Sequence, residues 1–301
     1  MKENKIWNDY LPEDMQEHWT VYECLKESED SSTFLVKETA TGILCVLKWG
    51  RNRQAEFLRN EMEIMEKMAD RKLSGIPKTY RIFEENGEVY LVREYIEGMS
   101  LAQMVLQKGG ISEAEICRIS RKICQTAEQF QNPDEPMIHR DIKPENIVVT
   151  PGGEVVFIDF GTMRSYKKDG SRDTFVVGTR GTAAPEQYGY TQTDQRTDVY
   201  AIGQTMLYMV SESYEMNQLS ECAVSRRMKK IIEKACSFEP DKRYGDAAQL
   251  RRAVEKCQAN NRKKVYKKAG AVCRQAATCS WRSSPAWCTD ACSWPTAHKP
   301  P

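Results

Sequence analysis

The stretch that decides the fold is HRDIKPEN at residues 139–146, which is followed at residues 154–161 by EVVFIDFG. The second stretch reads as a short apolar strand that ends in a carboxylate. Together the two stretches contain two aspartates, an asparagine amide and a lysine ammonium group: Asp141, Asp159, Asn146 and Lys143. Such a set can orient a hydroxyl group, bind a hard metal ion through oxygen and place a cation beside a phosphate.

With these two motifs in this order, the chain resembles the eukaryotic-type (Hanks-type) serine/threonine protein kinases of bacteria. The resemblance implies that Asp141 is the catalytic base and that Lys143 contacts the γ-phosphate of ATP. It also implies that Asn146 and Asp159 bind Mg²⁺. The alternative is a chance charged loop before a strand, and the order and spacing of the two motifs argue against it.

Further motifs occur in the order that a kinase requires. Ala184-Pro185-Glu186 closes the activation segment, and Asp198 opens an apolar helix. By resemblance, Arg243 lies where kinases place an arginine that pairs with the glutamate at position 186. We therefore expect Glu186, Asp198 and Arg243 to support the catalytic loop rather than to react. The resemblance covers about residues 19–258.

The stretch Cys45-Val46-Leu47-Lys48 occupies the place of the kinase V-A-I-K strand, which by resemblance makes Lys48 the ligand of the α- and β-phosphates. Its partner should come from the next helix. Glu61 shares a helical face with Leu58 and Met65, so it can point inward to Lys48. The alternative is that Glu61 is an ordinary exposed glutamate on the helix surface.

The adenine site is expected where the strand of residues 90–98 ends in a hinge. By resemblance, backbone groups of Glu94 and Ile96 would bond to the adenine edge, and Val46 and Val148 would sandwich the ring. Each valine taken alone is equally well explained as plain core.

Two features depart from the kinase pattern. The phosphate-covering loop aligns with residues 25–36, but Lys26, Ser28 and Ser31 replace its three glycines and three acidic residues lie among them. We expect the small Ser28 and Ser31 to donate hydrogen bonds to phosphate in place of glycine amides. Arg93 falls at the gatekeeper position beside the adenine pocket, which is usually apolar, and we expect its guanidinium to extend outward to solvent.

The acceptor is expected to be a serine or threonine hydroxyl, because Lys143 and Thr179 match serine/threonine kinases better than tyrosine kinases. Arg140 precedes the predicted base and is a cation that can bind a phosphorylated residue of the activation segment. This predicts autophosphorylation within that segment, with loop solvation as the alternative role of each hydroxyl. The candidates, in order, are Thr174, Ser171 and Thr162.

Composition narrows the class of protein. The chain has 301 residues, with 44 lysines and arginines against 43 aspartates and glutamates, so the formal charge of +1 gives no overall attraction to nucleic acid. Its 40% hydrophobic content is typical of a globular protein. The longest weakly polar run, residues 200–210, is well short of the ~20 residues that cross a bilayer. With no export signal at the start, we expect a cytoplasmic protein; the oligomeric state is not defined by the sequence.

The pattern of elements predicts an α+β, bilobal protein-kinase fold. Strand-like segments and one helix at about residues 54–69 favour a small antiparallel N-lobe, and helical patterns from Leu101 onward favour a larger C-lobe. Four cysteines of the tail have the wrong spacing for a zinc site. The predicted divisions are an N-terminal extension, an N-lobe, a C-lobe and a basic tail with little packed structure: residues 1–18, 19–96, 97–258 and 259–301.

These observations predict a non-specific serine/threonine protein kinase that uses ATP and Mg²⁺ on protein substrates. The glycine-free loop and Arg93 motivate the alternative of a catalytically weak, pseudokinase-like regulatory protein. A small-molecule phosphotransferase is disfavoured, because Ala184-Pro185-Glu186 and the activation segment suit protein acceptors.

Overall fold

Five antiparallel strands open the fold in the computed structural model. The structure describes residues 11–69, 71, 73–131, 136–166, 178–189 and 192–259. The strands are β1 (Trp19–Glu27), β2 (Ser31–Glu38), β3 (Leu44–Gly50), β4 (Thr79–Glu85) and β5 (Glu88–Glu94). They form one sheet in the order β1-β2-β3-β5-β4, so β3 and β5 are central strands.

Side chains along each strand alternate between the two faces of the sheet, and different residues pack against each face. Phe34, Leu47 and Val92 belong to a cluster on one face, which is closed by Leu11 and by Met15 of the one-turn helix α1 (Glu13–Gln16). The other face carries Val89 and Leu91 and packs against Ala55 and Leu58 of helix α2 (Arg53–Ala69). The second face is the one that also presents Lys48, because β3 pairs Lys48 directly with Leu91.

The turn between β4 and β5 is the tight hairpin that the sequence predicts. Asn86 and Gly87 have φ angles of 51° and 83°. Two consecutive positive φ angles define the turn type whose twist matches antiparallel strands, and asparagine followed by glycine is the pair that tolerates them.

Helices dominate the rest of the described chain. They are α3 (Leu101–Lys108), α4 (Glu113–Phe130), α5 (Gln195–Ser211), α6 (Arg226–Ala235) and α7 (residues 247–259). Serine N-caps begin α3, α4 and α6, and Asp194 caps α5. Each cap accepts a hydrogen bond from a free amide of the first turn, typically worth ~1 kcal/mol. Apolar faces of these helices form one large cluster that includes Ile119, Ile202 and Ile232.

Short strands among these helices hold the loops that matter for function. They are β6 (Met99–Ser100), β7 (Met137–Ile138), β8 (Ile147–Val149), β9 (Val155–Phe157) and β10 (Arg164–Ser165). β8 pairs with both β6 and β9, while β10 pairs with β7. The HRDIKPEN motif therefore lies between the end of β7 and the start of β8, and Asp159 follows β9 closely.

The observed elements confirm the predicted α+β arrangement of a small antiparallel sheet with one main helix followed by a helical region. Seven cysteines in the described part of the chain are free thiols. Within the same residues, no helix has the length and apolar character to span a membrane. Thr174, Ser171 and the tail cysteines Cys273, Cys279, Cys288 and Cys292 lie outside the described residues.

Candidate active site

A buried carboxylate fixes the backbone of the HRDIKPEN loop. Asp198, in the first turn of α5, accepts hydrogen bonds from the backbone N–H groups of His139 and Arg140, both at 3.0 Å. Arg140 has a φ of 68°, in the left-handed region that non-glycine residues rarely adopt. Burial raises the pKa of Asp198 to about 6, although the two N–H groups oppose this rise. The paired acceptor thus stabilises a strained turn just before Asp141.

The ring of His139 serves packing. It is buried against Phe130, Phe157 and Phe160, with ring centroids 5.3 to 6.3 Å away. Neither ring nitrogen has a hydrogen-bond partner among the described residues. Burial lowers the pKa of His139 to about 4, so the imidazole is neutral at pH 7.

Asp141 lies at the centre of a polar network. Its Oδ2 accepts from Asn146 Nδ2 at 2.9 Å and lies 2.8 Å from Lys143 Nζ, while its Oδ1 accepts from Thr179 Oγ1 at 2.8 Å. Lys143 Nζ also donates to the Thr179 hydroxyl at 2.5 Å. The site therefore already holds one hydroxyl group between a carboxylate and an ammonium group, which is the arrangement that hydroxyl activation requires.

Asn146 and Asp159 lie at the ends of two neighbouring segments, because β8 pairs with β9 directly after Asn146 and just before Asp159. The Ile158 N–H donates to the Asn146 carbonyl at 3.0 Å, which brings the two segments together. Because the Asn146 amide nitrogen faces Asp141, its amide oxygen remains available to a metal. Partial burial opposes ionisation of Asp159, but Lys48 and the Gly161 N–H outweigh it and lower its pKa. The carboxylate is therefore charged at neutral pH.

This donor set fits Mg²⁺. Within the described residues, no group of three or more His, Cys, Asp or Glu side chains forms a cage for a metal. One carboxylate and one amide oxygen are what Mg²⁺ uses when the remaining ligands are water and nucleotide phosphate.

The structure brings Lys48 and Glu61 together. Lys48 Nζ lies 3.0 and 2.7 Å from the two carboxylate oxygens of Glu61, and 3.7 Å from Asp159 Oδ2. Glu61 is 1% exposed, so the alternative of an exposed helical glutamate is wrong. Burial raises the pKa of Glu61 while the Lys48 ammonium lowers it. The bidentate contact docks α2 against β3.

The residue before Glu61 makes a contact that no sequence pattern signals. Asn60 Nδ2 donates to the carbonyls of Gly161 and Met163, both at 2.8 Å. These acceptors lie about a hundred positions further along the chain, where the activation segment begins. Helix α2 is thus tied both to the sheet and to the segment that follows Asp159.

The first turn of the activation segment also bonds to the catalytic loop. Arg140 Nε donates to the Thr162 carbonyl at 2.7 Å, and the Thr162 hydroxyl donates to the His139 carbonyl at 2.9 Å. Thr162, the third candidate for phosphorylation, is therefore engaged in holding the two segments together.

Glu186 and Arg243 form the bidentate pair that the sequence predicts. Two guanidinium nitrogens of Arg243 donate to the two oxygens of Glu186 at 2.7 and 2.9 Å, and both residues are buried. The Thr197 hydroxyl, beside Asp198, also donates to Glu186 at 2.8 Å. Arg243 also donates to the Arg196 carbonyl at 3.0 Å, so these contacts join Glu186 both to the start of α5 and to the segment before α7.

The predicted adenine residues surround the end of β5. Val46 and Val148 are buried, and Glu94 and Ile96 are half-buried. The Glu94 N–H donates to the Lys78 carbonyl at 2.8 Å, and the Glu94 carbonyl accepts from Arg93 Nη1 at 3.3 Å. Gly98 lies close against Val148, where an added Cβ would meet the valine at 2.7 Å. The hinge therefore passes directly over Val148.

The expectation that Arg93 extends to solvent is wrong, because its side chain is 4% exposed. Alternation along β5 places Arg93 on the same face as Val89 and Leu91, toward α2 rather than outward. Burial lowers the pKa of the guanidinium, and the carboxylates of Glu61, Asp159 and Glu94 oppose that effect. Nearby negative charge thus allows a cation at this position.

The loop between β1 and β2 replaces glycine by a set of side-chain bonds. Ser28 N–H donates to the Ser31 carbonyl at 2.8 Å, and the two serine hydroxyls are 2.8 Å apart. Arg51 Nε donates to Asp30 Oδ1 at 2.8 Å, with Asn52 Nδ2 at 3.1 Å from the same oxygen. The hydroxyls expected to contact phosphate therefore bond to each other within the turn, and the Ser28 hydroxyl also contacts the Ser31 carbonyl at 2.9 Å.

Comparison with known proteins agrees with this site. The family profile of the protein kinase domain matches residues 20–264. Serine/threonine-protein kinase D of Synechocystis is 29% identical over 218 residues, which are 66% of this chain and 42% of the relative. The probable serine/threonine-protein kinase CPE1738 of Clostridium perfringens is 35% identical over 147 residues, or 48% of this chain and 21% of the relative.

A third relative, serine/threonine-protein kinase PknB of Mycolicibacterium smegmatis, is 30% identical over 184 residues, covering 54% of this chain and 29% of that protein. The chain belongs to the protein kinase family, and the predicted resemblance to bacterial serine/threonine kinases is confirmed. The aligned part spans about a fifth to two fifths of the length of these three relatives.

Proposed function

We propose that the chain is a serine/threonine protein kinase that transfers the γ-phosphate of ATP to hydroxyl groups of proteins. The observation that carries this proposal is the network in which Asp141 bonds to Asn146, Lys143 and the Thr179 hydroxyl. Membership of the protein kinase family supports the proposal, as do relatives named as serine/threonine kinases.

Each residue of the network has a distinct role in this proposal. Asp141 orients the acceptor hydroxyl and accepts its proton, and Lys143 offsets negative charge at the γ-phosphate. The amide oxygen of Asn146 and the carboxylate of Asp159 hold Mg²⁺, which neutralises charge on the phosphates when bound. Lys48, held by Glu61, binds the α- and β-phosphates.

The nucleotide base lies between Val46 and Val148 in this proposal, with its edge toward the backbone of Glu94 and Ile96. The β1–β2 hairpin covers the phosphates, and Ser28 and Ser31 act by shaping that hairpin. A pseudokinase role is not favoured by any contact described above, because Asp141, Asn146, Asp159 and the Lys48–Glu61 pair are all in place.

The protein substrates, autophosphorylation at Thr174 and the cytoplasmic location remain predictions from the sequence. We also propose that the lobes divide at residues 96 and 97 and that the C-lobe ends near Gln258. A compact unit that ends at Gln258 supports the second boundary.

The test is transfer of ³²P from labelled ATP, with Mg²⁺, to the chain itself and to a generic protein substrate. We expect transfer by the wild-type chain and at least ~100-fold less by Asp141→Asn, since the amide cannot accept the proton. Asp241→Asn is the matched control, because its side chain is 93% exposed and lies outside the network. Absence of transfer by wild type, or equal transfer by Asp141→Asn, would contradict the proposal.

A further inference from the structure

Arg93 places a cation in the cleft that the proposed function assigns to the nucleotide base. β3 and β5 pair Val46 directly with Arg93, and opposite residues of an antiparallel pair share one face of the sheet. Val46 is the residue proposed to cover the base, and Glu94 is the next residue along the hinge. The buried guanidinium therefore lies at the inner edge of the base site.

The guanidinium has more donors than partners. Its Nη1 donates to the Glu94 carbonyl at 3.3 Å, and its buried Nε has no partner among the described residues. A guanidinium carries five N–H donors and cannot accept a hydrogen bond. The inner edge of the base site is therefore rich in donors, and the Glu94 carbonyl there already accepts a hydrogen bond from Arg93.

Purine bases differ in the group at C6, which is the group that would face this edge of the site. Adenine carries an amino group at C6, which donates, whereas guanine and hypoxanthine carry a carbonyl oxygen at C6, which accepts. An amino group facing a guanidinium meets a donor and competes with it for the Glu94 carbonyl. A carbonyl oxygen meets a charged donor instead, and hydrogen bonds with a charged partner are the stronger kind.

We propose that Arg93 is a specificity-determining residue and that the cleft binds 6-oxopurine nucleoside triphosphates, such as GTP, at least as tightly as ATP. This inference rests on the proposed function, because that function places a purine triphosphate in the cleft. It deepens the proposal by naming the class of phosphate donor.

The experiment measures dissociation constants of ATP, GTP and ITP by calorimetry in the presence of Mg²⁺, which needs no turnover. The ATP-to-GTP ratio of dissociation constants should be at least one for the wild-type chain. Arg93→Met removes the donors and keeps a long side chain, and it should lower that ratio at least ~10-fold. Arg81→Met, an exposed arginine on the neighbouring strand β4, should leave the ratio unchanged.

A preference for GTP can come from its C6 carbonyl or from its 2-amino group, and ITP distinguishes the two. It has the C6 carbonyl of GTP but lacks the 2-amino group, so it should bind within about threefold of GTP if Arg93 reads C6. ITP that binds more than about threefold more weakly than GTP would overturn the inference.

Two further outcomes would also overturn it. One is a wild-type ratio below one, and the other is an unchanged ratio in Arg93→Met, which would mean that Arg93 only balances the charges of Glu61 and Asp159. If Arg93→Met does not fold, the three wild-type constants decide the matter alone. Tight binding of ATP with rejection of GTP removes only this inference, whereas no binding of any of the three removes the proposed function as well.

Discussion

The catalytic loop at residues 139–146 and the β1–β2 hairpin at residues 28–31 are both proposed to contact the nucleotide, but one would act through side chains and the other through its backbone. In the catalytic loop, side chains carry the chemistry, and Asp141 and Lys143 are the residues that the kinase pattern requires. In the hairpin, the backbone is what must be shaped, and Asp30 and Arg51 shape it where a kinase has glycines. A sequence motif therefore predicts the catalytic loop well, because side chains do the chemistry there. It predicts the hairpin poorly, because different side chains can give the same backbone shape.

The same contrast explains why a glycine-free loop is compatible with a complete catalytic network. Glycine gives a loop access to many backbone conformations, whereas the Ser28–Ser31 bonds and the Asp30–Arg51 contact select one of them.

Removing a charge from the catalytic side should have the largest effect. Asp159→Asn should lower phosphoryl transfer at least ~100-fold, about 2.7 kcal/mol, because a neutral amide binds Mg²⁺ weakly and loses the attraction to Lys48. The measurement is the transfer rate as a function of Mg²⁺ concentration, with folding checked by circular dichroism. A folded variant with wild-type rate at low Mg²⁺ would contradict the assigned role.

The packing beneath the catalytic loop should make the fold sensitive to acid. The pKa of His139 is about 4 in the folded chain and ~6.5 when unfolded, so the unfolded state binds the extra proton and stability is lost as the pH falls through this window. Between pH 7.5 and 5 the loss from this group is ~2 kcal/mol.

His139→Phe keeps an aromatic ring among the same neighbours and should lack this loss. The pKa of Asp198 is raised to about 6, so its protonation stabilises the folded state over the same pH range. This contribution is present in both proteins and cancels in the comparison. Urea unfolding at the two pH values measures the difference. Equal acid sensitivity of the two proteins would show that His139 does not titrate in this way.

Weakening the contact between α2 and β3 should have an intermediate effect. Glu61→Gln leaves the buried Lys48 ammonium with Asp159 as its nearby anion and should lower the transfer rate ~10-fold, about 1.4 kcal/mol. Glu63→Gln is the matched control, because it lies on the exposed face of the same helix. Equal rates for the two variants would mean that the pair does not position Lys48.

Releasing the hairpin should have the smallest effect. Asp30→Ala removes the acceptor of Arg51 and Asn52, so we expect ATP to bind about three- to fivefold more weakly while the maximal rate changes little. Glu29→Ala keeps the backbone carbonyl that Arg51 also contacts, and it should bind ATP like wild type. Unchanged affinity in Asp30→Ala would show that the tether does not shape the phosphate site.

Features with a local signal were predictable from the sequence. The five strands, helix α2 and the Asn86-Gly87 turn follow from periodicity and turn chemistry, and Glu61 follows from helical spacing relative to Leu58. The roles assigned to Asp141, Asn146 and Asp159 stay predictions until they are measured, although the structure groups these residues.

Contacts between distant polar residues that lie outside the kinase motifs were not predictable. Asp30 and Arg51 are 21 positions apart, and Asn60 and Gly161 are 101 positions apart. Helix and strand periodicity relates only residues that are close in sequence, so it does not predict either contact. Arg93 is a different case. Alternation with Val89 and Leu91 already placed it on the inner face, and the expectation of an outward arginine rested on the cost of burying charge without counting the carboxylates that offset it.

Asn60 has a mechanical consequence for α2. Its two hydrogen bonds hold the beginning of the activation segment, and the adjacent Glu61 holds Lys48 on the sheet. A rotation of α2 that withdraws Glu61 from Lys48 must also withdraw Asn60 from both carbonyls. We therefore expect the contacts of Glu61 and Asn60 to break together whenever α2 moves as a rigid helix, which would couple the sheet to the beginning of the activation segment.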